Sequence, residues 1–331
     1  MKARDITAFL HGKSATIVAA VFACVSCVVA WQRGAVIPIE GDLGVGFPSA
    51  NMWIASARTS AIVNMALTAV VALAMLYINR VFNVLRSLTS LVATMFLVLQ
   101  AAVPSALGQF YGGTILALLV MICCGLLFSV FGERLGERLG QRHVFLVFFL
   151  FAGAAFTQVG YLFFLPALLL GVMQMRIFSL KSFLAALLGT ITPPWILFGF
   201  GLVTPDQLQW PGMAFELWHL FESNDMVPTF VTIGVTLLTG IGFTVANLMK
   251  ILSYNSRVRA YNGFLTMMLI YTSVLVVLNF GNFMFYVPLL NCLVAYQIGH
   301  FFTYRRNNRS YVAILAVAAV YVALYIWAVA A

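Results

Sequence analysis

Long apolar runs, separated by short polar and basic stretches, recur along the whole chain. A helix needs about 20 mostly apolar residues to cross a bilayer, and hydrocarbon leaves no partner for an unpaired backbone group. On that criterion spans fall near residues 15–31, 61–78, 88–103, 113–131, 144–156, 160–175, 183–202, 229–248, 264–279, 284–302 and 311–328, eleven in all. The stretch 144–175 reads either as two short helices or as one long helix bent at the polar Thr157-Gln158 step.

The charges decide between those two readings. Lys and Arg concentrate in cytoplasmic loops. With eleven spans and the N-terminus inside, only Arg33 and Arg58 of the 18 Lys and Arg fall outside. Merging 144–175 into one span puts Arg176 and Lys181 outside and inverts every later loop. The pattern therefore predicts an all-α polytopic transmembrane helix bundle of about 11 spans. Its N-terminus is cytoplasmic, its C-terminus is outside, and residues 1–331 form a single integral membrane domain.

Composition agrees. The 331 residues are 63% hydrophobic and 8% charged, with a mean hydropathy of +1.02. A soluble domain is nearer 45–50% apolar and about 25% charged. A soluble enzyme, a disordered chain and a nucleic-acid-binding domain are excluded. The net charge of +9 is a topology signal rather than a nucleic-acid footprint. The acids divide the other way: Asp5, Glu133 and Glu137 are inside, and Glu40, Asp42, Asp206, Glu216, Glu222 and Asp225 are outside. Cys24, Cys27, Cys123, Cys124 and Cys292 all lie in apolar runs, where neither a disulfide framework nor a zinc site fits. Lys2 and Arg4 before an apolar stretch look like a signal peptide, but no clear cleavage site follows, so an uncleaved first helix is expected.

The outer face has two substantial loops, 32–60 and 203–228, which hold all the outer acids and both outer arginines. In the first, Gly41, Gly44 and Gly46 relax the backbone around Glu40 and Asp42. Pro48 permits a short helix start, with Trp53 at the interface and Arg58 above the second span. A carboxylate near lipid can act as a general base, and arginine can hold a phosphate. A solvated loop that merely enforces topology uses the same residues. In the second loop, Trp210, Met213, Ala214, Leu217, Trp218 and Phe221 follow helical spacing, with Glu216, His219 and Glu222 on the other face. This predicts an amphipathic surface helix, an interface anchor or an auxiliary site carried by His219. No metal site is assigned, and no cofactor motif is present, so the cofactor is left open.

Inside, the tandem repeat from Gly132 to Arg142 would stack Arg134, Arg138 and Arg142 on one helix side, facing lipid headgroups or solvent. The basic segments 250–259 and 305–309 read as ordinary cytoplasmic flanks. The polar residues within the spans read as neutral: Asn64, Gln100, Thr190, Thr192, Asn247, Asn291 and Gln297. The lack of ionisable groups at span centres lowers the expectation of ion-coupled transport.

Two resemblances follow from longer patterns. The run F-A-G-A-A-F-T-Q-V-G-Y-L-F-F-L-P-A-L-L-L from residue 151 is followed by R-I-F-S-L-K-S-F-L-A-A-L-L-G-T-I-T-P-P-W. With Y-I-N-R-V-F-N-V-L-R-S-L-T-S-L at 77–91, it resembles an uncharacterised family of polytopic inner-membrane proteins from Bacteroidota, a domain of unknown function. That resemblance implies a multi-pass protein of the inner (cytoplasmic) membrane and no particular activity. The Leu-Pro-Ala run and the Arg-Ile-Phe-Ser step are also similar to GT-C-type membrane glycosyltransferases, which use polyprenyl-phosphate sugar donors and carry an acid in the first outer loop. The similarity implies Asp42 or Glu40 as the catalytic acid and Arg58 and Arg33 as phosphate ligands. The chain is short for such an enzyme, and Glu40-Gly41-Asp42 is not a clean acidic signature. The other readings are a non-catalytic scaffold or partner subunit in envelope assembly, with an unidentified protein partner, and a transporter of a lipid or amphiphile. Membrane lipids are partners in all three, and nucleic acid in none.

Overall fold

The computed structural model describes residues 9–34, 46–132, 138–204, 226–249, 254–304 and 310–330. Helices dominate, and no strand occurs among the described residues. Helices of ten residues or more are α1 (Lys13–Gln32), α2 (Ala57–Phe82), α3 (Leu91–Ala101), α4 (Gly112–Ser129), α5 (Arg138–Ala154), α6 (Leu165–Gln174), α7 (Leu180–Gly199), α8 (Val227–Leu248), α9 (Ser256–Leu278), α10 (Phe283–Tyr304) and α11 (Ser310–Ala330). Each expected span has its helix. Among the described residues eight helices are long and apolar enough to cross a membrane unaided, and α3, α5 and α6 are shorter.

Residues 144–175 form two elements. α5 ends at Ala154, where the Thr157 hydroxyl and amide both donate to the Ala154 carbonyl. Gln158 is extended, a 3-10 helix runs over Val159–Phe164, and Pro166 opens α6, where its missing N–H costs nothing. At about 2.0 Å per 3-10 residue and 1.5 Å per α residue, this pair advances about 27 Å, close to a hydrocarbon thickness.

Consecutive helices run antiparallel, so their ends form two faces. At one face, called here the loop end, Ser60 near the start of α2 accepts from the Phe110 amide before α4, Tyr161 donates to the Gly112 carbonyl, and Phe230 of α8 stacks on Phe280 before α10. At the other, the basic end, Ser90 donates to the Gly12 carbonyl, and the Gly132 amide donates to the Met175 carbonyl. Lys13, Arg80, Arg86, Arg142, Arg176, Lys181, Arg257 and Arg259 flank helix ends there, and Arg33 and Arg58 belong to the loop end.

The 11-residue α3 is buried at every position, enclosed mainly by α1, α10 and α2. Close approaches use small residues, as membrane helix packing requires where lipid is as apolar as leucine. A Cβ on Gly189 of α7 would lie 2.5 Å from the Phe145 carbonyl oxygen of α5, so these two helices meet almost backbone to backbone. The neutral polar residues of the spans find one another. Asn291 donates to Gln100 at 2.9 Å, Asn247 to Gln297 at 2.9 Å, Gln297 to Thr266 at 3.1 Å, and Thr114 to Asn64 at 2.7 Å. Cys27 is buried, whereas Cys24 points outward from α1, so the two thiols do not share an environment.

Candidate functional site

At the loop end, the chain after Pro48 forms one 3-10 turn, Ala50–Met52, and Trp53 donates its indole N–H to the Pro48 carbonyl at 2.8 Å. Trp53 is exposed and leans on Phe110. The first long loop returns to the bundle through the Gly46 and Phe47 amides, both donating to the Phe156 carbonyl at 3.2 and 3.0 Å. Gly46 abuts Val203, where the second long loop begins: a Cβ there would lie 2.8 Å from Val203 Cγ1. The first loop is therefore rooted on the turn between α5 and α6, and there it meets the start of the second loop, which leaves α7. Arg58, in the first turn of α2, places its guanidinium 5.9 Å from the Trp31 ring centroid, a cation–π distance. Arg33 is exposed just past the end of α1. Burial pushes the phenol of nearby Tyr111 well above its usual range, so it stays neutral. Asp42, Glu40, Glu216, His219 and Glu222 lie outside the described residues, as do the amphipathic stretch of the second loop and Arg134 of the tandem repeat.

The basic end holds a site that sequence reasoning missed. A cavity of about 310 Å³ is lined by His11, Arg86, Thr89, Tyr254, His300 and Thr303, among others. That volume is at the lower end of the range for ligand pockets. Its lining loop, residues 85–89, is clamped by Asn79 of α2. The Asn79 side chain donates to the Ser87 and Thr89 carbonyls at 3.0 and 3.4 Å and accepts from the Leu85 amide at 3.0 Å. This clamp holds Arg86 at φ 58°, a left-handed backbone that costs a non-glycine residue about 1–2 kcal/mol. The Arg86 guanidinium lies 5.3 Å from the Tyr254 ring centroid, and the Tyr254 ring packs edge-on against His300 at 5.0 Å. Arg259 donates to the Tyr254 carbonyl at 3.0 Å, fixing that residue from α9. On the far wall His11 bonds Thr89 at 2.8 Å.

His300 is 5% exposed, and among the described residues neither ring nitrogen has a hydrogen-bond partner; the buried Thr303 hydroxyl also lacks one there. No Asp or Glu is among the described residues, so Arg86 faces no carboxylate among them. His300 falls inside the expected span 284–302, Tyr254 in the basic segment 250–259 that reads as an ordinary flank, Arg86 in the connection between the second and third expected spans, and His11 before the first span. The only sequence signal was one ionisable residue, His300, three positions after Gln297 in an otherwise neutral span. Compared with family models, curated proteins and solved structures, the chain matches none.

Proposed function

We propose that this integral membrane protein works at its loop end on a lipid-linked substrate, in its finer form as a GT-C-like transferase drawing on a polyprenyl-phosphate sugar donor. The observation that supports this reading is the meeting of the two long loops, Gly46 against Val203 beside the turn between α5 and α6, on the same face as Arg58 and Arg33. Arg58 and Arg33 are the phosphate ligands in this proposal, since a guanidinium fork matches phosphate oxygens. Asp42, or Glu40, takes the acceptor hydroxyl proton; the acceptor oxygen attacks the anomeric carbon, and the lipid phosphate leaves. On the charge argument this face is the outer side of the inner membrane.

The test is turnover of a polyprenyl-phosphate-linked sugar by the full chain in proteoliposomes. The expected result is transfer that Asp42→Ala abolishes and Arg58→Ala weakens, at unchanged protein level. Absence of turnover by the unaltered protein, or full activity of both Asp42→Ala and Glu40→Ala, overturns the reading. A second reading, a subunit of an envelope assembly, draws support from α11, of which only 11% is buried within the bundle. Co-purification of one stoichiometric protein partner from the native membrane would favour it.

A further inference from the structure

We propose that the cavity at the basic end is a binding site for a phosphate-monoester anion, held by Arg86 and His300. Four observations carry it, none of which depends on the loop end. The cavity is lined by a guanidinium, two imidazoles and several hydroxyls, with no carboxylate among the described residues. A tetrahedral anion offers enough acceptor oxygens for such a set, and the planar fork of Arg86 suits two of them. His300 is buried with both nitrogens unpartnered among the described residues, an arrangement that costs free energy until a ligand supplies the acceptor. Whatever its protonation state, an imidazole carries at least one N–H to donate.

The Arg86 backbone is the third observation. It is held left-handed by the Asn79 clamp, and strain maintained by surrounding structure gathers at functional sites. The clamp fixes the cation beside Tyr254 rather than leaving it free in solvent. Fourth, the cavity lies where α10 ends, with the exposed Leu88 on its rim. Helix ends are the level of lipid headgroups, and they are also open to water. The phosphate could therefore arrive on a lipid or on a small soluble molecule, with the same contacts in either case.

The experiment separates these sources in the full-length protein. In phosphatidylcholine nanodiscs, calorimetric titration with inorganic phosphate and with glycerol 3-phosphate tests the soluble arm. Nanodiscs containing phosphatidic acid, read by native mass spectrometry of retained lipid, test the headgroup arm. Binding in either arm that depends on Arg86 is the expected result. Arg86→Gly is the decisive variant, because glycine accepts the left-handed backbone without strain while the guanidinium is deleted. It should weaken binding by about 10- to 100-fold, the loss of a charge-assisted hydrogen bond, with a melting temperature equal to or above the original. His300→Gln should weaken it less, and Ile326→Ala on the exposed side of α11 should leave it unchanged. No binding in either arm overturns the proposal. So does an Arg86→Gly variant that binds as tightly as the original.

Discussion

Helices α10 and α11 are neighbours in sequence and opposites in environment. The segment Phe280–Thr303 is 94% buried within the bundle and has the lowest mean hydropathy of the eight long spans, 1.2. The segment Tyr311–Ala330 is 11% buried and has the highest, 2.5. In a soluble protein the order would be reversed. Here the solvent is hydrocarbon, so a helix facing it must be apolar on all sides, while a helix enclosed by others can carry polar groups if they find partners. α10 does so with Asn291, Tyr296 and Gln297, each hydrogen-bonded to another helix, and α11 buries one such group, Tyr321, which donates to Thr236. Between these two helices hydropathy tracks lipid contact; the order does not extend to every span, since Leu180–Gly199 averages 1.5 with 22% of it buried and Gly112–Ser129 averages 2.3 with 61% buried.

The sharpest way to break that comparison is to truncate the same kind of side chain in both helices. Leu293 of α10 is fully buried, and Ile326 of α11 is exposed to lipid. Large-to-small changes in cores cost about 2–5 kcal/mol, part of it from the cavity left behind. In a membrane the transfer part shrinks, because the separated helix is already in an apolar medium. Leu293→Ala should therefore fall near the low end, about 2 kcal/mol, and Ile326→Ala should stay within about 0.5 kcal/mol, the scale of uneventful surface changes. Unfolding by graded detergent denaturation, followed by circular dichroism, reads both. Equal losses would mean that α11 is enclosed in the native assembly, as the subunit reading requires.

Glycine to alanine sharpens the contrast by sign. A Cβ on Gly299 of α10 would lie 2.8 Å from Val92 Cγ2 and 3.2 Å from Leu85 Cδ1, whereas one on Gly242 of α8 meets open space. Gly299→Ala should destabilise by about 1–3 kcal/mol through overpacking. Gly242→Ala should stabilise by about 0.5–1 kcal/mol, since alanine has the better helix propensity and nothing resists it. The same unfolding assay checks both. Because Leu85 belongs to the Asn79-clamped loop, Gly299→Ala should also weaken any anion binding at Arg86.

The helices were legible because each span is a contiguous run, and hydropathy is a local quantity. Even the split at 144–175 could be read, through the parity imposed by Arg176 and Lys181. The order of enclosure was not. α3 reads as one more apolar run, and only the packing shows that it is buried on every side. The cavity at the basic end was still less visible. His11, Arg86, Tyr254 and His300 come from four separate segments, and no spacing rule joins residues that are 46 or more positions apart except through the tertiary fold. Conversely, the loop residues singled out by composition, Asp42 and His219 among them, lie outside the described residues.

The smallest expected effect is also the most specific. Asn291 of α10 donates to Gln100 of α3 at 2.9 Å, while the Gln100 amide nitrogen has no partner among the described residues. Asn291→Leu strands the Gln100 oxygen as well, and Gln100→Leu strands the Asn291 amide, so each single change should cost about 1–2 kcal/mol. The double change removes both polar groups from an apolar setting and should recover part of that loss. The coupling from the double-mutant cycle should be about 0.6 kcal/mol, the average for interhelical hydrogen bonds in membranes, because the separated helices also find partners. A coupling near zero would mean that the pair is tolerated rather than stabilising. The polar character of α10 would then follow from enclosure alone, with its hydrogen bonds serving only to avoid unpaired groups.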